Sequence, residues 1–121
     1  MRQSYDPQGF LKLANRLLTD RNYEPEGRVR TVIGRAYYAA FLITLRKLQE
    51  LGASFREDYR IHKDVIEKLK EKDSGLGSKL ETFFDYRVDA DYKMDAQVMN
   101  LGETCCRFAE HIISRVMNLG E

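Results

Sequence analysis

Arg87 is the residue of this chain whose position points most directly to chemistry. In a helical projection of about 100° per residue, Arg87 shares one face with Leu80, Phe83, Phe84 and Asp91. A guanidinium that is buried without a partner among phenylalanine rings costs several kcal/mol. Arg87 is therefore expected to belong either to a buried polar network or to a functional cleft.

Asp91 and Tyr92 are the residues best placed to act with Arg87. Because Arg87 and Asp91 are four positions apart, they could form an ion pair within one helix. In the functional interpretation, Arg87 holds a phosphate through two N–H groups in a cleft and Asp91 orients it. Tyr92 is favoured as a structural cap whose hydroxyl bonds to backbone, although it could instead stack on a base or donate a proton. A tyrosine pKa of about 10 makes it a poor general base at neutral pH.

Three arginines and one tyrosine on the second predicted helix are the candidate RNA- or nucleotide-binding residues. Arg28, Arg35 and Arg46 share a narrow face of that helix. A row of arginines is usually a solvated face, but beside a cleft it would attract an RNA backbone. Tyr38 could reach Arg87 with its hydroxyl or line a dimer interface.

The other polar candidates are expected to have structural roles. Tyr37 falls on the core stripe of the second helix, whereas His62 and His111 should each act as a cap or a core hydrogen-bonding residue. The two histidines have no matching carboxylate spacing, and the adjacent Cys105 and Cys106 have no C-x-x-C partners. No metal site and no cofactor are therefore expected.

Length and composition indicate one soluble domain over residues 1–121. The chain is 43% hydrophobic and 32% charged, as in globular proteins, and its net charge of +1 creates no global field toward a nucleic acid or a membrane. Its first residues lack the basic head and apolar run of a signal peptide, and no apolar stretch approaches the roughly 18 residues of a membrane span. The adjacent cysteines cannot link distant segments, so a cytoplasmic, reducing location is expected.

Apolar periodicity predicts an all-α, up-and-down bundle of five helices without strands. Asp6 and Pro7 should open the first helix, Pro25 the second, and Gly52 should end the second. The predicted helices cover about residues 7–19, 25–51, 62–72, 79–90 and 95 to near the C-terminus. Residues 73–78 (DSGLGS) are predicted to form a turn.

The last predicted helix has apolar residues at alternating spacings of three and four, which suits a bundle seam or a dimer seam. They are Val98, Leu101, Cys105, Phe108, Ile112, Val116 and Leu119. The hexapeptide VMNLGE occurs at residues 98–103 and again at 116–121, an offset of 18 residues. In a continuous helix this offset is about five turns and would place both copies on the same face.

Three segments in this order resemble motifs of HEPN-domain proteins. Residues 34–41 (GRAYYAAF) are similar to the S-R-A-Y-Y-A-x-F run in the second helix of that superfamily. Residues 62–66 (HKDVI) resemble the H-K-x-V-I opening that follows it, and residues 87–92 (RVDADY) resemble the R-x-x-A-D-Y motif of one small stand-alone branch. The resemblance implies an up-and-down helical bundle, commonly a two-fold homodimer and often encoded with a minimal nucleotidyltransferase.

Many HEPN proteins are metal-independent ribonucleases of toxin–antitoxin or defence systems. Their R-x(4-6)-H motifs meet across a dimer cleft, where histidine and arginine are thought to act on the ribose 2′-hydroxyl and the phosphate. In this chain the positions where that histidine is expected after Arg87 hold Tyr92, Lys93 and Met94. Arg56 and His62 satisfy the spacing, but they precede the third helix instead of lying on the motif helix.

The resemblance therefore implies an RNA- or nucleotide-binding HEPN protein of a toxin–antitoxin or defence system. Metal-independent ribonuclease activity stays open, because the family histidine is missing. The alternative is a catalytically silent interaction module that pairs with a minimal nucleotidyltransferase. In the first case Arg87 would contact phosphate, and Asp91 and Tyr92 would shape the cleft.

Overall fold

The regular secondary structure in the described part of the chain is entirely helical. A computed structural model describes residues 4–120, so Met1–Gln3, and Glu121 at the end of the second VMNLGE copy, lie outside the described residues. Residues 4–120 form five helices and no strand, which confirms the all-α class. The helices are α1 (Gln8–Leu18), α2 (Pro25–Glu50), α3 (Ile61–Lys72), α4 (Ser74–Tyr92) and α5 (Gly102–Met117).

The long helix α2 is the centre of the bundle, because each of the other four helices packs against it. The contacts between side chains show that α1 and α4 run antiparallel to α2, whereas α5 runs parallel to it. Ala36, Ala39 and Ala40 are fully buried, and their small side chains let neighbouring helices approach closely. Tyr37 is also fully buried, which confirms its predicted place in the core.

The ends of α2 follow from local chemistry and agree with the prediction to within one residue. The carboxylate of Glu24 accepts hydrogen bonds from the backbone N–H groups of Glu26 and Gly27, and Pro25 occupies the first turn. At the other end Gly52 has a φ of 101°, a left-handed conformation that favours glycine and stops the helix.

The predicted turn at residues 73–78 is wrong, because α4 already begins at Ser74. The side chain of Asp73 accepts a hydrogen bond from the backbone N–H of Leu76 at 3.0 Å and caps the helix. Gly77 lies inside this first turn and is buried, since α3 passes directly over it. A Cβ at residue 77 would lie 2.7 Å from the backbone nitrogen of Lys70. This glycine therefore permits close packing of α3 on α4 and does not mark a turn.

The predicted start of the last helix at Asp95 is also wrong, since α5 begins at Gly102. In the connecting segment, the backbone carbonyls of Lys93, Met94 and Ala96 accept hydrogen bonds from the guanidinium of Arg30. These carbonyls are thus satisfied from α2 and not by a further helical turn. Most of the first VMNLGE copy lies in this segment, so the two copies do not share a helix face.

The apolar spacing in the C-terminal region serves the interior of the single chain. Val98, Cys105, Ile112 and Val116 are each at most 1% exposed within one chain. Their burial is complete before any second copy is added. This periodicity therefore reflects a seam within the bundle.

Candidate functional site

Arg87 lies on α4 where that helix crosses the middle of α2, and its side chain is 12% exposed. Its Nη2 donates a hydrogen bond to the hydroxyl of Tyr38 at 3.0 Å. Its Nε lies 2.9 Å from Oδ2 of Asp91, four residues further along the helix. The predicted ion pair within the helix and the predicted contact with Tyr38 are therefore both confirmed.

The ion pair between Arg87 and Asp91 is electrostatic more than directional. The Nε of Arg87 is fully buried, and its N–H is not aligned with an acceptor despite the short distance to Asp91. The Asp91 side chain is 32% exposed and approaches α2 at Gly34, where a Cβ would lie 3.5 Å from its Oδ1. Asp91 thus supplies a counter-charge on one side of the guanidinium.

Aromatic rings surround the rest of the guanidinium. The Cζ of Arg87 lies 5.2 Å from the ring centroid of Tyr38, 5.7 Å from that of Tyr92 and 6.0 Å from that of Tyr37. Each such cation–π contact contributes about 1 kcal/mol when it is partly desolvated. Nη1 makes no hydrogen bond to any acceptor in residues 4–120 and is not among the fully buried atoms. It therefore remains available as a donor to a ligand.

The prediction that Tyr92 is a structural cap with its hydroxyl bonded to backbone is wrong. Its side chain is 68% exposed, and its hydroxyl has no hydrogen-bond partner in the described part of the chain. Its ring instead lies beside the guanidinium of Arg87 at the last residue of α4. Tyr92 therefore presents an open aromatic face next to a cation.

His62 joins this cluster from α3, although the sequence placed it only as a cap or a core residue. Its Nδ1 lies 2.8 Å from the hydroxyl of Tyr37, which confirms the core hydrogen-bonding role. Its ring stacks on Phe41 with centroids 4.2 Å apart and lies 5.3 Å from the ring of Phe84. Arg87 and His62 thus contact the same tyrosine ring, Tyr37, from α4 and α3.

Burial keeps His62 and Tyr37, which share a hydrogen bond, in their neutral forms at neutral pH. Burial lowers the pKa of His62 below its ordinary value, and the positive charge of Arg87 lowers it further. Burial raises the pKa of the Tyr37 hydroxyl well above its ordinary value. Because this hydroxyl has no other acceptor in residues 4–120, it donates to Nδ1, and the imidazole proton is assigned to Nε2. In this tautomer Nδ1 of His62 accepts from Tyr37, and Nε2 carries the donor N–H.

The candidate RNA-binding arginines separate into one that joins the site and two that do not. Arg35 lies with its Cζ 5.3 Å from the ring centroid of Phe10 and 5.0 Å from that of Tyr38. Arg28 instead donates through Nη1 to the backbone carbonyl of Asp20, after the end of α1, and its Nε is buried without a partner. Arg46 is exposed three helical turns beyond Arg35.

Arg30 is a residue of the site that the sequence interpretation missed. Its guanidinium, which is 13% exposed, donates to the carbonyl of Ala90 at 2.9 Å, of Lys93 at 3.0 Å and of Asp89 at 3.2 Å. It thereby caps the C-terminal end of α4, just beyond Arg87. The sequence did contain a signal for Arg30. It lies seven positions, or about two helical turns, before Tyr37, and so it is a charged residue on the core face of α2. Arg87 shows the same pattern, a charged residue on an apolar helix face.

The cysteines take no part in the site. Cys105 and Cys106 are free and buried on α5. Burial raises the pKa of Cys105 to about 12 and that of Cys106 to about 11, so both are thiols at neutral pH. Neither is an activated nucleophile.

Residues 4–120 contain neither a candidate metal-binding cluster nor a candidate membrane-spanning helix. No group of three or more histidine, cysteine, aspartate or glutamate side chains there could hold a metal ion. None of the helices in that range combines the length and the apolar character needed to cross a membrane.

Comparison with known proteins found no family model, no curated protein and no solved structure that matches this chain. The class that the fold and the site define is an all-α, five-helix bundle. Its distinguishing feature is a partly buried arginine, Arg87, surrounded by tyrosines.

Proposed function

We propose that this chain is an RNA- or nucleotide-binding protein of the HEPN type, belonging to a toxin–antitoxin or defence system and acting as a homodimer. The observation that carries the proposal is the guanidinium of Arg87, which is positioned on three sides by Asp91, Tyr38 and Tyr92. Its Nη1 has no acceptor within residues 4–120 and is available to a ligand oxygen. A positioned arginine with an unused donor suits the geometry of a phosphate.

The local charge supports an anionic ligand. Arg35 and Arg87 lie with their guanidinium carbons 5.0 and 5.2 Å from the same Tyr38 ring centroid. Asp91 lies close to Arg87 and offsets one of these two charges. One positive charge therefore remains uncompensated within the cluster, and its partly buried setting strengthens its attraction for phosphate.

The chemistry of His62 favours binding over cleavage. A general base must accept a proton, but in the tautomer assigned above the Nδ1 of His62 already accepts from the Tyr37 hydroxyl and Nε2 carries the imidazole proton. Tyr92 stands in the position where the family motif has histidine, so that position offers no imidazole to accept the proton. We therefore place phosphate binding first and metal-independent cleavage second.

The test is salt-dependent binding of a labelled RNA to wild-type protein and to Arg87→Ala. We expect Arg87→Ala to lower RNA affinity at least about tenfold and to reduce the slope of log affinity against log salt by about one. Arg46→Ala is the matched control, because it removes an exposed arginine from the same protein outside the cluster. Equal affinity of wild type and Arg87→Ala, with unchanged far-UV circular dichroism, would refute the proposal.

Incubation of the same RNA with wild type and Arg87→Ala in EDTA tests cleavage separately. Cleavage by wild type alone would add a metal-independent nuclease activity to the binding function. Intact RNA in both samples would leave a binding protein.

A second candidate is a catalytically silent interaction module that pairs with a minimal nucleotidyltransferase. It is favoured by the limited exposure of Arg87 and by two exposed residues at and just beyond the end of α4, Tyr92 at 68% and Met94 at 73%. Here Arg87→Ala lowers the melting temperature by several degrees because Asp91 loses its counter-charge. Wild-type protein then shows no salt-sensitive RNA binding and co-purifies with the co-expressed transferase.

A further inference from the structure

Six side chains form an unbroken series that crosses three elements of the bundle. We call it the aromatic–arginine ladder, and its members are, in spatial order, Tyr5, Phe10, Arg35, Tyr38, Arg87 and Tyr92. Neighbouring members are separated by 5.0 to 5.7 Å, measured between ring centroids or from a guanidinium carbon to a centroid. The series begins just before α1, crosses α2 and ends at the last residue of α4.

The two ends of the ladder are open and its middle is held in place. Tyr5 is 52% exposed and Tyr92 is 68% exposed. Arg35 and Tyr38 are partly buried between them, and each contacts two members of the series. Packing thus fixes the arginines, while the terminal rings keep faces on which a planar group can stack.

From Phe10 to Tyr92, aromatic rings and guanidinium groups alternate, and this pattern matches the chemistry of an unpaired polynucleotide strand. Every nucleobase has a π-face that can stack on a tyrosine ring, and every linkage carries a phosphate that an arginine attracts. In a duplex the bases are already stacked on one another and cannot reach such rings. Such a series suits an unpaired strand of any base sequence better than a duplex.

We infer that the aromatic–arginine ladder binds a single-stranded polynucleotide, with bases on Tyr92 and Tyr5 and phosphates beside Arg87 and Arg35. The inference rests on the proposed function, since it takes the same Arg87 site and specifies its ligand. It adds residues that the motif at 87–92 does not contain. The bound strand runs from the C-terminal end of α4 across α2 to the start of α1.

The test is fluorescence anisotropy with a labelled oligoribonucleotide of about 12 nucleotides, free or annealed to its complement. Wild type is expected to bind the single strand at least about tenfold more tightly than the duplex. Tyr92→Ala and Tyr5→Ala should each weaken single-strand binding at least about fivefold, because one stacked base is lost. Tyr92→Phe and Tyr5→Phe should retain wild-type affinity, since phenylalanine keeps the ring.

Tyr59→Ala is the matched control for removal of an exposed ring. Tyr59 is 85% exposed and lies outside the ladder, so its loss should leave RNA affinity unchanged. Far-UV circular dichroism and melting temperature establish that each variant is folded. The exposure of Tyr5 and Tyr92 makes folded variants the expected result.

The outcomes separate this inference from the proposed function. If Arg87→Ala loses RNA binding while Tyr5→Ala and Tyr92→Ala bind as wild type does, the ladder is wrong and the phosphate site stands. Equal affinity for single strand and duplex also overturns the ladder alone. A changed elution volume with unchanged RNA affinity would assign the exposed tyrosines to contact between copies and overturn it as well. If the wild-type protein binds no RNA and no nucleotide, both the ladder and the proposed function are wrong.

Discussion

Arg30→Ala is expected to destabilise the protein by about 3 kcal/mol, because Arg30 holds the C-terminal end of α4. Three of its hydrogen bonds are partly buried, and they go to the carbonyls of Asp89, Ala90 and Ala96 at 3.2, 2.9 and 3.2 Å. A hydrogen bond from a charged donor contributes about 1.5–3 kcal/mol, and we take about 1 kcal/mol for each to allow for access of water in the variant. For a domain of this size the loss corresponds to roughly 12 °C in melting temperature.

The assay is urea denaturation followed by circular dichroism, with thermal melting as a second measurement. Arg30→Lys should recover only a minor part of the loss, because one ammonium cannot serve carbonyls spread over residues 89–96. Arg107→Ala is the control, since the side chain of Arg107 is 74% exposed and its one ion pair among the described residues is with Glu103 within α5. It should cost at most about 0.5 kcal/mol.

A change of less than about 0.5 kcal/mol in Arg30→Ala would refute the capping role of Arg30. Because the capped turn carries Asp91 and Tyr92, the same variant should also weaken RNA binding. Wild-type RNA affinity in a clearly destabilised Arg30→Ala would show that the end of α4 does not position the ligand site.

Two further predictions concern groups on α3 and α4. Since burial and Arg87 lower the pKa of His62 in the folded protein, the unfolded chain takes up a proton first as pH falls. The free energy of unfolding should therefore decrease below about pH 6.5, and urea titrations at about pH 7.5 and 5.5 should show a smaller decrease for His62→Gln; identical decreases would contradict this. Gly77→Ala should cost about 1–3 kcal/mol, because its Cβ would lie 2.7 and 2.8 Å from the backbone nitrogen and Cα of Lys70. A melting temperature equal to that of wild type would show that α3 does not pack closely on α4.

The helices whose limits are encoded locally could be predicted from the sequence, and the others could not. Pro25 and Gly52 bracket α2 through their own backbone preferences, so its limits required no knowledge of neighbouring helices. The glycines of residues 73–78 predicted a turn, but the structure has a helix there. Gly77 is required instead by the close approach of Lys70 from α3. A glycine needed for packing and a glycine needed for a turn look the same in one sequence.

The start of α5 also could not be predicted from the local sequence. Nothing local prevents residues 95–101 from continuing as helix, and the apolar spacing even favours it. The guanidinium of Arg30, more than sixty positions earlier, satisfies the carbonyls of Met94 and Ala96 and makes the irregular segment stable. This connection exists only after α2 and α4 have packed.

The sequence by itself determined the all-α class, the core position of Tyr37 and the pairing of Arg87 with Asp91, because each depends on a spacing within one helix. It also marked Arg87 as a charge on an apolar face. Only the tertiary structure decided which side chains surround it. Tyr38 is 49 positions from Arg87 and lies with Arg35 on α2, whereas His62 comes from α3. Such contacts arise from helix packing, which depends on the shapes of whole faces and not on the spacing within any one of them.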